Sequence, residues 1–329
     1  MRPNLTPEEY INGILLQDRN ILSKAITLIE SNREEDEKLA VSILEACIKQ
    51  NKSSKRIAVT GIPGAGKSTF INAWGKDLLE NGKTVAILAI DPSSSISKGS
   101  ILADKTRMDD LAGHENCFIR PTASSNNLGG VAKTTRETML LCEAFGFDFI
   151  LIETVGVGQS ETIVKNMTDL FLLLLLPNTG DDLQGIKRGI MEMADIILIN
   201  KSEDDNIMAS KRAATQIKQV LHLFSTSEKD WTTPVLNVSA LHKKGLSDLQ
   251  QQVDSYFLKM KTTGFIGFNR KQQDNYWFEE TIQQALLQTF SRDKNIQTVK
   301  KELLKKLENK EITPINAAKL LVQKFLKYK

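Results

Sequence analysis

Nine consecutive residues, Gly61-Ile62-Pro63-Gly64-Ala65-Gly66-Lys67-Ser68-Thr69, carry the most specific chemistry in this chain. They fit G-x-x-x-x-G-K-[ST], a phosphate-binding P-loop. The glycines let successive backbone N–H groups turn toward one anion, and a following helix adds a partial positive charge at its N-terminus. Lys67 has the reach for the β- and γ-phosphates, and the Ser68 hydroxyl is a ligand for Mg²⁺. The flanks agree with this reading. An apolar run, Ile57-Ala58-Val59-Thr60, precedes the loop, and a helix is expected from Thr69 to Asn81. The expected ligand is therefore a nucleoside triphosphate with Mg²⁺.

Two further groups of residues bear on the base and on the γ-phosphate. Asn200-Lys201-Ser202-Glu203 closes an apolar run and resembles N-K-x-D, in which a carboxylate accepts from N1–H and N2–H₂ of guanine. Adenine offers no such pair of donors. Here the acceptor is Glu203, one methylene longer than Asp, with Asp204 as a fallback. Asn200 is expected to tie this loop to the P-loop, and the Lys201 stem to lie along the base. Ser239-Ala240-Leu241, after the next apolar run, is expected to offer a backbone N–H to guanine O6. Glu153-Thr154-Val155-Gly156 follows D-x-x-G logic: a carboxylate for Mg²⁺ or its water shell, then a glycine N–H near the γ-phosphate. Gln159 is a candidate for orienting the attacking water. With Lys67 and Glu153 it completes the expected catalytic set.

These loops require strands to hold them. Apolar runs at 56–60, 84–90, 148–153, 170–176, 195–200 and 234–239 alternate with helical stretches, which predicts an α/β, doubly wound, mainly parallel sheet. Most of these runs are continuously apolar, as strands covered on both faces should be. Ligands bind such sheets at the carboxyl ends of the strands, where the P-loop falls. Residues 1–52 read as a helical extension, 53–258 as the nucleotide domain and 259–329 as a helical arm. The arm carries an apolar stripe, Ile315, Ala318, Leu320, Leu321 and Phe325, which calls for a partner surface.

Bulk properties narrow the class. The chain has 329 residues and a formal net charge of +3, which is too small for a dedicated nucleic-acid surface. Its three cysteines, Cys47, Cys117 and Cys142, are widely spaced, so neither a disulfide framework nor a zinc site is expected. Free thiols and a polar N-terminus without an apolar leader lead to the expectation of a cytoplasmic protein. The longest greasy run, Leu170 to Leu176, falls far short of the roughly 20 residues a helix needs to cross a bilayer.

Taken together, the motifs resemble the methylmalonyl-CoA mutase-associated GTPases of the MeaB/ArgK type. The resemblance rests on GIPGAGKST (61–69), AIDPSSS (89–95), GSILADKTRM (99–108), ETVGVGQSE (153–161), GDDLQGIKRGI (180–190) and NKSE (200–203), and spans nearly the whole chain. It implies a P-loop GTPase that binds GTP and GDP and regulates or chaperones a cobalamin-dependent acyl-CoA mutase, gating cofactor loading or protection. It also implies that Asp91, Asp104 and Glu153 serve the metal beside Ser68. A switch loop contributed by Asp181, Asp182, Gln184, Lys187 and Arg188 would signal to the partner, and the C-terminal arm would form a homodimer. The chain departs from the family pattern at NKSE, where N-K-A-D is usual, and at Pro177-Asn178-Thr179-Gly180, where P-G-A-G is usual. No D-x-H-x-x-G cobalamin motif is present, so any cobalamin enzyme acts in trans. Two other readings are a nucleotide-dependent kinase linked to amino-acid transport and a GTP-sensing adaptor without useful turnover.

Overall fold

The computed structural model describes residues 5–31, 33–50, 52–90, 108, 110–122, 128–154, 160–177, 188–222 and 230–328. Three helices come first: α1 (Pro7–Leu15), α2 (Arg19–Ile29) and α3 (Glu34–Ile48). The start of α1 is dictated locally. Thr6 Oγ1 accepts from Glu9 N–H at 3.2 Å, and Glu9 Oε2 accepts from Thr6 N–H at 2.7 Å, a reciprocal capping box with Pro7 at the first helical position. Gln17 turns left-handed (φ 63°), which ends α1, and the Asp18 carboxylate caps α2.

Among the described residues seven parallel strands follow, with helices after all of them but β2: β1 (Lys55–Gly61), α4 (Lys67–Glu80), β2 (Val85–Ile90), β3 (Cys117–Thr122), α5 (Leu128–Phe145), β4 (Phe149–Thr154), α6 (Ser160–Lys165), β5 (Leu170–Leu175), α7 (Arg188–Met193), β6 (Ile196–Ile199), α8 (Ile207–Leu221), β7 (Val235–Asn237) and α9 (Leu246–Thr262). Spatial order is β3-β2-β4-β1-β5-β6-β7, with every pairing parallel. The chain winds outward one way from β1 through β2 to β3. It returns through β4 and then winds the other way. The crevice at that reversal lies beside β1, where such folds bind ligands.

Strict alternation along the strands builds two cores. Ala58, Ile150, Ile152, Leu173 and Ile199 face one side with α1–α3 and α5. Ile57, Val59, Leu151, Leu172 and Leu198 face the other with α4 and α9. Both faces are covered, which explains runs as greasy as Leu170–Leu175, buried throughout. The sequence reading lacks β3. Its Arg120-Pro121 interrupts the apolar pattern, and proline is tolerated there because β3 is an edge strand. The P-loop helix begins at Lys67 rather than Thr69, because the loop's last residues are already helical.

α5 carries a buried carboxyl. Burial pushes the Glu137 pKa up to about 7, helped by Glu37 and opposed by Lys133, whose Nζ lies 4.0 Å away. The folded state therefore binds a proton more tightly than the unfolded chain, and stability falls as pH rises from about 4.5 through 7. Glu137→Gln is expected to flatten this fall and to gain on the order of 3 kcal/mol at pH 8. Urea denaturation at pH 5 and pH 8 checks it. Equal pH slopes for both proteins would contradict it.

The chain forms two compact units, Met1–Arg270 and Lys271–Lys329. α10 (Phe265–Arg292) runs through the boundary, and α11 (Lys294–Glu308) and α12 (Pro314–Tyr328) complete the second unit. The stretch 259–271, polar and glycine-bearing in sequence, is mostly helical; left-handed Gly264 (φ 74°) separates α9 from α10. Within the second unit Phe290 and Phe325 stack edge-on at 5.1 Å, and Ile296, Val299 and Ala317 are buried. Ile315, Ala318 and Leu320 of the expected stripe are instead exposed, because the inward row on α12 runs Ala317, Leu321, Phe325 at intervals of four. Among the described residues no helix is long and apolar enough to cross a membrane.

Candidate nucleotide site

The site is built from loops at the carboxyl ends of β1, β4, β6 and β7. Gly61, the last residue of β1, opens the P-loop. It sits so close to β5 that a Cβ would fall 2.4 Å from the Leu174 carbonyl oxygen. Ile62 is half-buried, Pro63, Gly64 and Thr69 are exposed, and Ala65 is fully buried. The Lys67 side chain is buried, and its Nζ donates to the carbonyls of Gly61 at 3.0 Å and Ile62 at 3.2 Å. Burial lowers the Lys67 pKa, and the nearby Glu153 charge opposes that shift. The loop thus presents N–H groups, a helix N-terminus and a buried cation at one place. That arrangement suits a polyphosphate.

On the adjoining strand Glu153 is 8% exposed and its Oε1 accepts from the Ser68 hydroxyl at 2.7 Å. Register explains the meeting. Val59 pairs with Glu153 across the β1–β4 ladder, so the carboxylate reaches the first turn of α4. These are hard oxygen donors beside a phosphate cradle. They fit Mg²⁺, which takes one or two protein oxygens and keeps waters and phosphate oxygens for the rest. Among the described residues, no cluster of three or more His, Cys, Asp or Glu gathers as a metal site. Asp91, Asp104, Gln159, Asp181, Asp182, Gln184 and Lys187 lie outside the described residues. Arg188 opens α7.

Asn200 holds three loops together. It is 1% exposed. Its Nδ2 donates to the Ala65 carbonyl of the P-loop at 2.8 Å, and its Oδ1 accepts from Ala240 N–H at 3.2 Å. Gly66 makes this approach possible. It is left-handed (φ 84°), and a Cβ there would sit 2.7 Å from Asn200 Nδ2. The Lys201 stem passes close to the same glycine, its Cε 3.9 Å from that Cβ position. Ser202 N–H donates to Val238 O at 3.0 Å, zipping the 200–203 loop to the 238–241 loop. Ser239 is fully buried and its Oγ accepts from His242 N–H at 3.1 Å, shaping the turn, while Leu241 is 70% exposed.

Glu203 and its neighbour divide sharply. Glu203 Oε2 is buried with no hydrogen-bond donor on it. Asp204 is left-handed (φ 48°), with a largely exposed carboxylate 4.0 Å from His242 Nε2. Among the described residues Glu203 therefore has the buried, unpartnered oxygen, and Asp204 is exposed. The Asp204–His242 approach was not visible in the sequence, since it depends on how two loops 35 or more positions apart converge. The only local hint was the position of each just beyond a strand.

Known proteins resemble this chain over nearly its whole length. The family model described as "Methylmalonyl Co-A mutase-associated GTPase MeaB" matches residues 22–295. GTPase ArgK of Escherichia coli K12 is 40% identical over 309 residues, covering 94% of this chain and 93% of that protein. The mitochondrial methylmalonic aciduria type A homolog of Mus musculus is 39% identical over 328 residues, covering 97% of this chain and 79% of that protein. A crystal structure titled as an LAO/AO transport system kinase superposes with a TM-score of 0.77 at 32% identity, covering 99% of both chains.

Proposed function

The chain belongs to the methylmalonyl-CoA mutase-associated GTPase family of the MeaB type, and from that premise we propose that it binds and hydrolyses GTP to regulate a cobalamin-dependent acyl-CoA mutase. The observation that carries the nucleotide reading is the Asn200 clasp, with its bonds to Ala65 and Ala240, beside the unpartnered Glu203 oxygen. A buried carboxylate oxygen without a donor is costly. The N1–H and N2–H₂ edge of guanine supplies the missing donors, with a backbone N–H of the Ser239-Ala240-Leu241 loop at O6.

Catalysis is positioning and charge neutralisation. The P-loop amides and Lys67 hold the β- and γ-phosphates, and Lys67 offsets the charge that grows on the transferring phosphoryl group. Ser68 and Glu153, with Asp91 and Asp104, would hold Mg²⁺, which supplies further neutralisation of phosphate charge. Gln159 orients the attacking water in this reading, and Asp181, Asp182, Gln184, Lys187 and Arg188 relay the nucleotide state to the partner. The mutase partner is supported by the family description and by the name of the Mus musculus relative. Release of inorganic phosphate, rather than its transfer to an acceptor, separates this activity from a kinase. Faster release with an added cobalamin mutase tests the partner.

Glu203 yields a sharper expectation. Glu203→Ala should weaken GDP binding by about 30- to 1,000-fold and erase the preference over ADP, because the charged acceptor is lost. Titration calorimetry with both nucleotides checks it. Equal wild-type affinity for GDP and ADP would sink the guanine assignment.

The proposal includes a homodimer through residues 259–329. Leu286, Leu287, Ile315, Val322 and Leu326 are exposed within the second unit, and such apolar surface seeks a partner. Light scattering at tens of micromolar is expected to give twice the 36.8 kDa chain mass. A monomer would overturn it.

A further inference from the structure

The β1–β4 ladder ends one rung early. Backbone pairing runs from Lys55↔Phe149 to Val59↔Glu153 and stops, although β1 continues against β5 to Gly61↔Leu174 and β4 continues against β2 to Ile90↔Thr154. At the missing rung a side-chain bond takes over. The Thr154 hydroxyl donates to Thr60 Oγ1 at 2.9 Å, and both residues are completely buried. Thr60 is the residue before the P-loop, and Thr154 the residue after Glu153. By strand alternation both hydroxyls lie on the sheet face opposite α4, so neither faces the P-loop helix.

We propose that the Thr60–Thr154 hydroxyl pair is a positioning device that sets the distance between the P-loop and the Glu153 carboxylate. It rests on the GTPase reading above. Glu153 reaches Ser68 at 2.7 Å from the last backbone rung. Beyond that rung each strand is held to its outer neighbour, no backbone pair joins β1 to β4 among the described residues, and the hydroxyl bond bridges the two directly. Threonine suits the place twice over: its branched Cβ fits a strand, and its hydroxyl spans a gap the backbone leaves unbridged. A lost bond here moves an oxygen ligand by a fraction of an ångström, enough to lower turnover without emptying the phosphate cradle.

The test uses the full chain with Thr154→Val, Thr154→Ser and the double variant Thr60→Val/Thr154→Val. The double variant removes both hydroxyls, so no polar group is stranded if the single change unfolds the protein. Three quantities are read: steady-state GTP hydrolysis, the Mg²⁺ concentration for half-maximal rate, and GDP affinity in chelator. Thr154→Val and the double variant are expected to lower kcat about 10-fold, with KM for GTP held within about twofold. They should raise the Mg²⁺ requirement several-fold and leave chelator GDP affinity unchanged, and Thr154→Ser should restore all three. Wild-type kcat and Mg²⁺ requirement in a folded Val variant would overturn the proposal, whatever its melting temperature. An equal loss of GDP affinity in chelator would also overturn it, since the P-loop itself would then depend on the bond. A wild-type protein that releases no phosphate from GTP would fell the parent reading instead, and is recognised before any variant is compared.

Discussion

Lys67→Ala is expected to lower GTP hydrolysis by at least about 100-fold while the protein stays folded. The ammonium is buried against the carbonyls of Gly61 and Ile62, at the start of α4. No other described cation occupies the loop. Its removal strips the P-loop of the one full positive charge it carries among the described residues and leaves amides and the helix dipole, which together carry a fraction of a charge. Stability should change little, because the loop's shape comes from its glycines and from the Asn200–Ala65 bond. Lys67→Arg should not rescue activity: a planar fork does not fit a position that a compact ammonium fills. Single-turnover phosphate release, with circular dichroism as the folding control, checks both variants. Wild-type turnover by Lys67→Ala would mean that the reactive phosphate lies elsewhere.

The second large effect is expected at the opposite end of the strands. Arg270 lies at the end of the first unit, its guanidinium bridging two carboxylates. Nε donates to Asp169 Oδ1 at 2.9 Å, Nη2 to Asp169 Oδ2 at 2.7 Å and to Ser54 O at 2.8 Å, and Nη1 to Glu143 Oε1 at 3.1 Å. Glu143 also pairs with Arg56, and Asp169 Oδ2 accepts from Arg56 N–H at 3.1 Å. Burial works against the Arg270 cation, yet its bonds and charges with Asp169 and Glu143 hold its pKa above the ordinary range. The Asp169 side chain is fully buried. Arg270→Ala therefore strands a buried carboxylate and should cost on the order of 3–5 kcal/mol in urea denaturation. Arg270→Lys should recover only part, since one ammonium cannot serve two carboxylates and a carbonyl in the same fork geometry. GDP affinity of the folded fraction should not change. The network sits at the amino ends of the strands, and a strand as long as β1 places it about 20 Å from the P-loop. A variant as stable as wild type would show the network to be dispensable.

The two effects also mark what was legible. Everything in Gly61–Thr69 is contiguous, and the loop it forms follows from backbone bending and a helix start, which are local properties. Period and composition likewise located six strands and the doubly wound order of elements, because a strand buried on both faces must be apolar throughout. Glu203 and Ser239-Ala240-Leu241 were singled out as candidates by their places after strands, since parallel strands deliver their ends to one edge. Thr6-Pro7-Glu8-Glu9 announced α1 by its own capping bonds.

Other features depended on contacts that no window of sequence contains. β3 hid because an edge strand accepts the proline that a central strand would reject. Arg270 looks like any basic residue in a polar helix, and its burial follows from its contacts with Ser54, Glu143 and Asp169, the last 101 positions away. Which of Glu203 and Asp204 has the buried oxygen depends on the path of a loop that turns left-handed at both Lys201 and Asp204. The Thr60–Thr154 bond arises from register: a ladder that ends one residue later would leave it no gap to bridge. Local pattern determines which elements form and which ends they present. Register and packing determine which side chains meet there, because those contacts are chosen by the summed burial of residues far apart in the chain.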